Sequence, residues 1–101
     1  MTHDQQIQSL KQQIVEQYEP EQIFLFGSCA KGIPRGNSDI DLCIIKNVQN
    51  PRQFKIDLQL NLRSEASLDI VIYSPKNWAR FSEDSGSFAY LIKNRGVLLY
   101  G

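Results

Sequence analysis

Three aspartates set the chemical question. Asp39 and Asp41 bracket Ile40 at the head of the apolar run Ile40-Asp41-Leu42-Cys43-Ile44-Ile45, and Asp69 sits inside Leu68-Asp69-Ile70-Val71-Ile72. Residues two apart in a strand share a face, so the carboxylates of Asp39 and Asp41 are expected to point one way while Ile40, Leu42 and Ile44 point into a core. Two carboxylates roughly 5 Å apart repel by about 3 kcal/mol at an effective dielectric of about 20. A divalent cation removes that repulsion, and an oxygen-only donor set suits Mg²⁺ or Mn²⁺. Asp69, embedded among apolar residues, needs a partner for the same reason. A third carboxylate on a neighbouring strand allows two metals, which can hold the attacking and leaving oxygens of an in-line phosphoryl displacement. Taken singly, Asp-x-Asp is an ordinary polar strand edge and Asp69 an ordinary strand-start residue. Their recurrence at the tips of apolar strands makes them candidate metal ligands and catalytic groups.

Gly27-Ser28 is the second candidate feature. It directly follows the apolar run Ile23-Phe24-Leu25-Phe26. Glycine permits a sharp bend and close approach of a phosphate. Ser28 offers a hydroxyl and an amide where a helical turn can begin, a favourable place for an anion. By itself such a pair is most often a plain turn. The chemistry lies in the combination with the aspartates.

The elements that must position these residues follow from periodicity. Thr2 with Gln5 forms a capping-box pattern, and Ile7, Leu10, Ile14, Val15 and Tyr18 recur at helical spacing, which predicts a helix from about Asp4 to Tyr18 that ends near Pro20. Ile23 to Phe26 reads as a strand buried on both faces. The segment from Lys31 to Ser38, with two glycines, a proline and an asparagine, reads as a loop. Ile40 to Ile45 is the second strand, and the short connection makes the first two strands antiparallel neighbours. Asn50-Pro51 caps a helix expected to run to about Arg63, with Phe54, Leu58 and Leu62 on one face. Leu68 to Tyr73 is the third strand, and Ser74-Pro75 opens a short helix. Phe88, Leu91 and Ile92 mark a last helix, with Gly96 expected as a left-handed cap, and Val97 to Tyr100 follows as a terminal strand. The order predicts one α/β (α+β) domain over residues 1–101, a small mixed sheet flanked by helices.

Composition narrows the classes. Lys plus Arg is 11 and Asp plus Glu is 11, so nothing draws the chain over long range to nucleic acid or an anionic membrane. His3, near the terminus, is the sole histidine, which excludes a buried Ser-His-Asp triad. Cys29 and Cys43 are too few for a disulfide framework or a cysteine zinc site, and read as small reduced apolar residues. No apolar run is long enough to span a bilayer, and the first residues do not form a secretory signal. A cytoplasmic location is the expectation.

Gly27-Ser28, ten residues, then Asp39-Ile40-Asp41 resembles the signature of the polymerase-β-type nucleotidyltransferase superfamily. The stretches Leu25-Phe26-Gly27-Ser28-Cys29-Ala30-Lys31-Gly32 and Ser38-Asp39-Ile40-Asp41-Leu42, with Leu68-Asp69-Ile70-Val71 and a Gly-Val-Leu-Leu-Tyr ending, resemble the minimal nucleotidyltransferases, the MNT family. That resemblance implies a nucleoside triphosphate, ATP, held at Gly27 and Ser28 with help from Lys31. It implies metals on Asp39 and Asp41, and Asp69 completing the site and assisting deprotonation of an attacking hydroxyl. Many members carry arginine where this chain has Cys29 and Lys31. Lys31 keeps the charge without the forked geometry, and Arg35 is the candidate to compensate.

Members this short are commonly paired with a HEPN-type RNase toxin. The resemblance therefore implies an antitoxin that transfers AMP to a tyrosine of that partner, with no nucleic acid as direct ligand. The competing expectation is a non-catalytic antitoxin that masks its HEPN partner. An antibiotic-modifying enzyme is disfavoured because no drug-binding domain is present. Trp78, Phe81, Phe88 and Tyr90 are the aromatic candidates for a partner surface or for a homo-oligomer.

Overall fold

The computed structural model describes residues 2–27, 30 and 39–101. Among them four helices and four strands follow in the order α1 (His3–Tyr18), β1 (Gln22–Phe26), β2 (Ile40–Ile45), α2 (Pro51–Asn61), β3 (Leu68–Tyr73), α3 (Pro75–Phe81), α4 (Phe88–Arg95) and β4 (Val97–Tyr100). The expected loop from Lys31 to Ser38 lies outside the described residues.

The sheet runs β3-β2-β1-β4. β1 is antiparallel to both β2 and β4, as the short connection predicts for the first pair, and β2 is parallel to β3. A parallel pair needs a crossover, and α2 supplies it. Strand alternation sorts the core into two layers. Ile23 and Leu25 with Ile40, Leu42 and Ile44 face Ile7, Leu10 and Ile14 of α1 and Phe54 and Leu58 of α2. Phe24, Cys43 and Ile45 face the other way, onto Trp78 of α3 and Ala89 and Ile92 of α4. The sheet is thus covered on both faces, which is why β1 and β2 read as continuous apolar runs.

The predicted caps form. Thr2 Oγ1 accepts from the Gln5 amide at 3.1 Å while Gln5 Oε1 accepts from the Thr2 amide at 2.9 Å. Asn50 and Ser74 each accept from the amide three residues on at 3.1 Å, ahead of Pro51 and Pro75. Ser87 caps α4 in the same way. α1 closes on Glu19, in the left-handed region at φ 50°, just before Pro20.

Two expected helix ends differ. α2 stops at Asn61 rather than Arg63, and Leu62 is extended. The reason is Gln13 of α1: its Oε1 accepts from the Arg63 amide at 2.8 Å and its Nε2 donates to the Arg63 carbonyl at 3.1 Å. One glutamine side chain satisfies the backbone that another helical turn would have used. Gly96 is not a left-handed cap: its φ is −82° and ψ −178°. Glycine is needed there for room, since a Cβ would lie 2.5 Å from the Ile92 carbonyl oxygen and 2.7 Å from that of Leu25.

Trp78, one of the aromatics proposed for a partner surface, is instead core, 7% exposed, with its ring tilted against those of Phe24 and Tyr73 at centroid distances of 4.9 Å and 5.5 Å. Phe81 and Phe88 are exposed and Tyr90 is half-buried. Trp78→Ala is therefore expected to cost about 3–5 kcal/mol of stability, read as a lower urea midpoint. A change below about 1 kcal/mol would mean that α3 does not anchor this face.

Cys43 is a free, buried thiol whose pKa burial pushes up to about 12. It is inert packing, as the sequence suggests; Cys29 lies outside the described residues. Among the described residues, no helix is long and apolar enough to cross a membrane.

Candidate active site

The topology gathers the three aspartates at one end of the sheet. In the parallel pair Asp41 of β2 lies opposite Asp69 of β3, and in the antiparallel pair Asp41 lies opposite Phe26 of β1. Directly opposed residues share a face. Asp69, Asp41 and Phe26 therefore form a row across three strands, on the face covered further along by Cys43, Ile45 and the α3–α4 layer. Asp39 stands one residue ahead of β2, where the Ile40 amide donates a hydrogen bond of 2.9 Å to the carbonyl of Ser67, the residue just before β3.

The charges of Asp69 and Asp39 both reach Asp41. Asp41 is half-buried, and its pKa is raised by burial first, then by the charge of Asp69, then by that of Asp39. Asp39 and Asp69 are exposed. One carboxylate is thus held in a partly desolvated place between two open ones, and its charge is disfavoured until something positive arrives.

Gly27 completes this end of the sheet. Its φ is +76°, and a Cβ there would overlap Oδ2 of Asp41. The residue is glycine for two reasons: the left-handed turn out of β1, and the approach of its backbone to the carboxylate. Ser28 and Lys31, the other expected nucleotide-binding residues, lie outside the described residues, as does Arg35.

Whether the aspartates suit a cation is a question of donor chemistry. Among the described residues, no three His, Cys, Asp or Glu side chains form a ready-made cage for one ion. Magnesium does not require one: it is commonly held by one or two carboxylates, with waters and substrate phosphates completing the octahedron. Asp41, crowded by two carboxylates of the same hard-oxygen type, fits that mode.

Two further features adjoin the row. A pocket of about 220 Å³, lined by Phe26, Gly27, Phe88, Leu91 and Arg95 among others, opens beside Gly27. The sequence reading missed Arg95 and gave Phe88 no place at the site; Gly96, forced to be glycine by the packing of α4 on β1, was the available signal. A larger recess, about 560 Å³, is lined by Gln6, Ser9 and Gln13 of α1 and residues 63–65. Glutamines there serve the fold: Gln6 accepts from the Ala66 amide and Gln13 binds Arg63. It contains none of the three aspartates.

The model of the family described as Polymerase beta, Nucleotidyltransferase matches residues 8–101, nearly the whole chain. No curated protein matches it. The matched span takes in Gly27, all three aspartates and every strand, and the four-stranded mixed sheet with its helices is consistent with the polymerase-β-like nucleotidyltransferase fold.

Proposed function

The chain belongs to the polymerase beta nucleotidyltransferase family, and from that premise we propose that it moves AMP from ATP onto a hydroxyl of a partner protein. The observation that carries this reading is the registered pair Asp41–Asp69, with Asp39 close by and Gly27 against Asp41. Asp39 and Asp41 would hold Mg²⁺ or Mn²⁺, with Asp69 completing the set. When bound, the cation supplies charge neutralisation to the phosphates and to the departing pyrophosphate. The chain's own residues do the rest. The Gly27 turn gives a phosphate room at the backbone, and Ser28 and Lys31 follow it in sequence. Asp69, exposed near the start of β3, would accept the proton of the attacking hydroxyl. The hydroxyl oxygen bonds to the α-phosphorus, the bond to the β-phosphate oxygen breaks, and pyrophosphate leaves.

The acceptor in this proposal is a tyrosine of a HEPN-type toxin, which makes the chain the antitoxin of a toxin–antitoxin pair. The sequence resemblance supports that choice, and the exposed Phe81 and Phe88 are compatible with a protein partner. Asp69→Asn separates catalysis from masking. Mixed with the HEPN partner and labelled ATP, the variant should lose about a hundredfold or more in label transfer, while complex formation is retained. If wild type and variant neutralise the partner equally, with no label on it, neutralisation is by masking and the transferase reading is wrong.

A further inference from the structure

The row Asp69–Asp41–Phe26 ends at the 220 Å³ pocket, which Phe26 and Gly27 themselves line. Gly27 therefore belongs to both places: it touches the pocket, and its backbone abuts the Asp41 carboxylate. Across the pocket, the Phe88 ring meets Phe26 edge-on at 5.4 Å and 88°. That contact does not cover it: Phe88 is 48% exposed and Leu91 43% exposed. Two large apolar side chains thus stand open to water next to a cluster of charge, an arrangement that a flat apolar ligand group would relieve. Arg95, also lining the pocket, adds a cation and a fork of N–H donors. Among the described residues the salt bridge of α4 is made by Lys93 with Glu83, and Arg95 is in none.

We propose that this pocket is the base subsite of the nucleotide site. The base lies against Phe88 and Leu91, and Arg95 faces acceptor atoms of the ring or the adjoining phosphate. The proposal rests on the nucleotide reading above, because it is phosphates at Gly27, beside the metal site of Asp41, that bring the other end of the nucleotide here. Aromatic and aliphatic walls with one cation match a planar ring rich in acceptors, and every base has a π face to offer them. Phe88 and Leu91 are specificity-determining in this scheme and take no part in the chemistry.

Calorimetry with Mg²⁺ and two probes, ATP and inorganic tripolyphosphate, tests it. Tripolyphosphate carries the phosphates without the base. Wild type should bind ATP roughly tenfold or more tightly than tripolyphosphate, the scale of one base stacked on an aromatic side chain. Phe88→Ala should remove most of that advantage and leave tripolyphosphate binding unchanged. Because Phe88 also packs on Phe26, Leu91→Gln at a half-exposed position provides a second variant with little burden on folding; it should act in the same direction. Equal binding of the two probes by wild type, or variants that leave the ATP advantage intact, would overturn the base subsite while the phosphate site stands. If wild type binds neither probe, the nucleotide reading itself fails and the subsite with it.

Discussion

Asp41→Asn is expected to make the metal-free protein more stable and the enzyme nearly inactive. Both effects come from the same environment. The Asp41 pKa is raised above its ordinary value by burial and by the charges of Asp69 and Asp39. A carboxyl with a raised folded-state pKa binds its proton more tightly folded than unfolded. The stability it lends is full below the unfolded value of 3.8 and is lost as pH rises through the higher folded value. At neutral pH the charge is therefore a liability to the apo fold. Asparagine removes it with little change of shape. The melting temperature in a chelating buffer at pH 7 should rise by a few degrees, and the gain should vanish on acidification, where Asp41 itself is neutral. Transfer should fall about a hundredfold or more, since the substituted group would hold the metal that neutralises the phosphates. Mg²⁺ with ATP should raise the melting temperature of wild type by mass action and leave the variant unmoved. A variant less stable than wild type in chelator would show that Asp41 is a structural group. Retained metal-dependent stabilisation would remove it from the site.

Much of this was legible in the sequence because the relevant signals are local. Thr2 with Gln5, Asn50-Pro51 and Ser74-Pro75 announce helix starts by short-range hydrogen bonds, and those bonds are present. The alternation around Asp41 placed Ile40, Leu42 and Ile44 in one layer, and they are there. What was not legible depends on contacts distant in sequence. The early end of α2 is decided by Gln13, fifty residues upstream. Trp78 was a candidate for a partner surface because it lies in the third of the chain poorest in motifs; it is claimed by Phe24 and Tyr73, which only the sheet brings together. The side-by-side placement of Asp41 and Asp69 requires the parallel register of β2 and β3, which spacing alone does not set. Arg95 reaches the site's neighbourhood only because α4 packs across β1. The glycines were legible as glycines but not in their reasons: Gly96 for lack of room, Gly27 for its turn and for Asp41.

Gly27→Ala is expected to do the opposite of Asp41→Asn in the apo protein and the same in catalysis. At φ +76° an L-residue is strained, at a cost of about 1–3 kcal/mol. The added methyl also falls on Oδ2 of Asp41. One of the two must move. Displacing the carboxylate takes a proposed metal ligand away from its position opposite Asp69, while displacing the backbone takes the turn away from the phosphates. Either way transfer should drop about a hundredfold or more, because small misplacements at such a site carry costs of that size. The urea midpoint should fall, where Asp41→Asn raises thermal stability, so the two variants share a loss of function with opposite effects on folding. Gly86→Ala is the control. Its added Cβ would meet Asp84 at 3.6 Å, an ordinary contact, and no positive φ is involved. It should shift stability by no more than about 0.5 kcal/mol and leave transfer intact. The double variant Gly27→Ala with Asp41→Asn completes the argument. If the methyl acts through the carboxylate, the second substitution adds little further loss of transfer. Losses that multiply would instead assign Gly27 a separate role on the phosphates, and full activity in Gly27→Ala would show that neither contact matters.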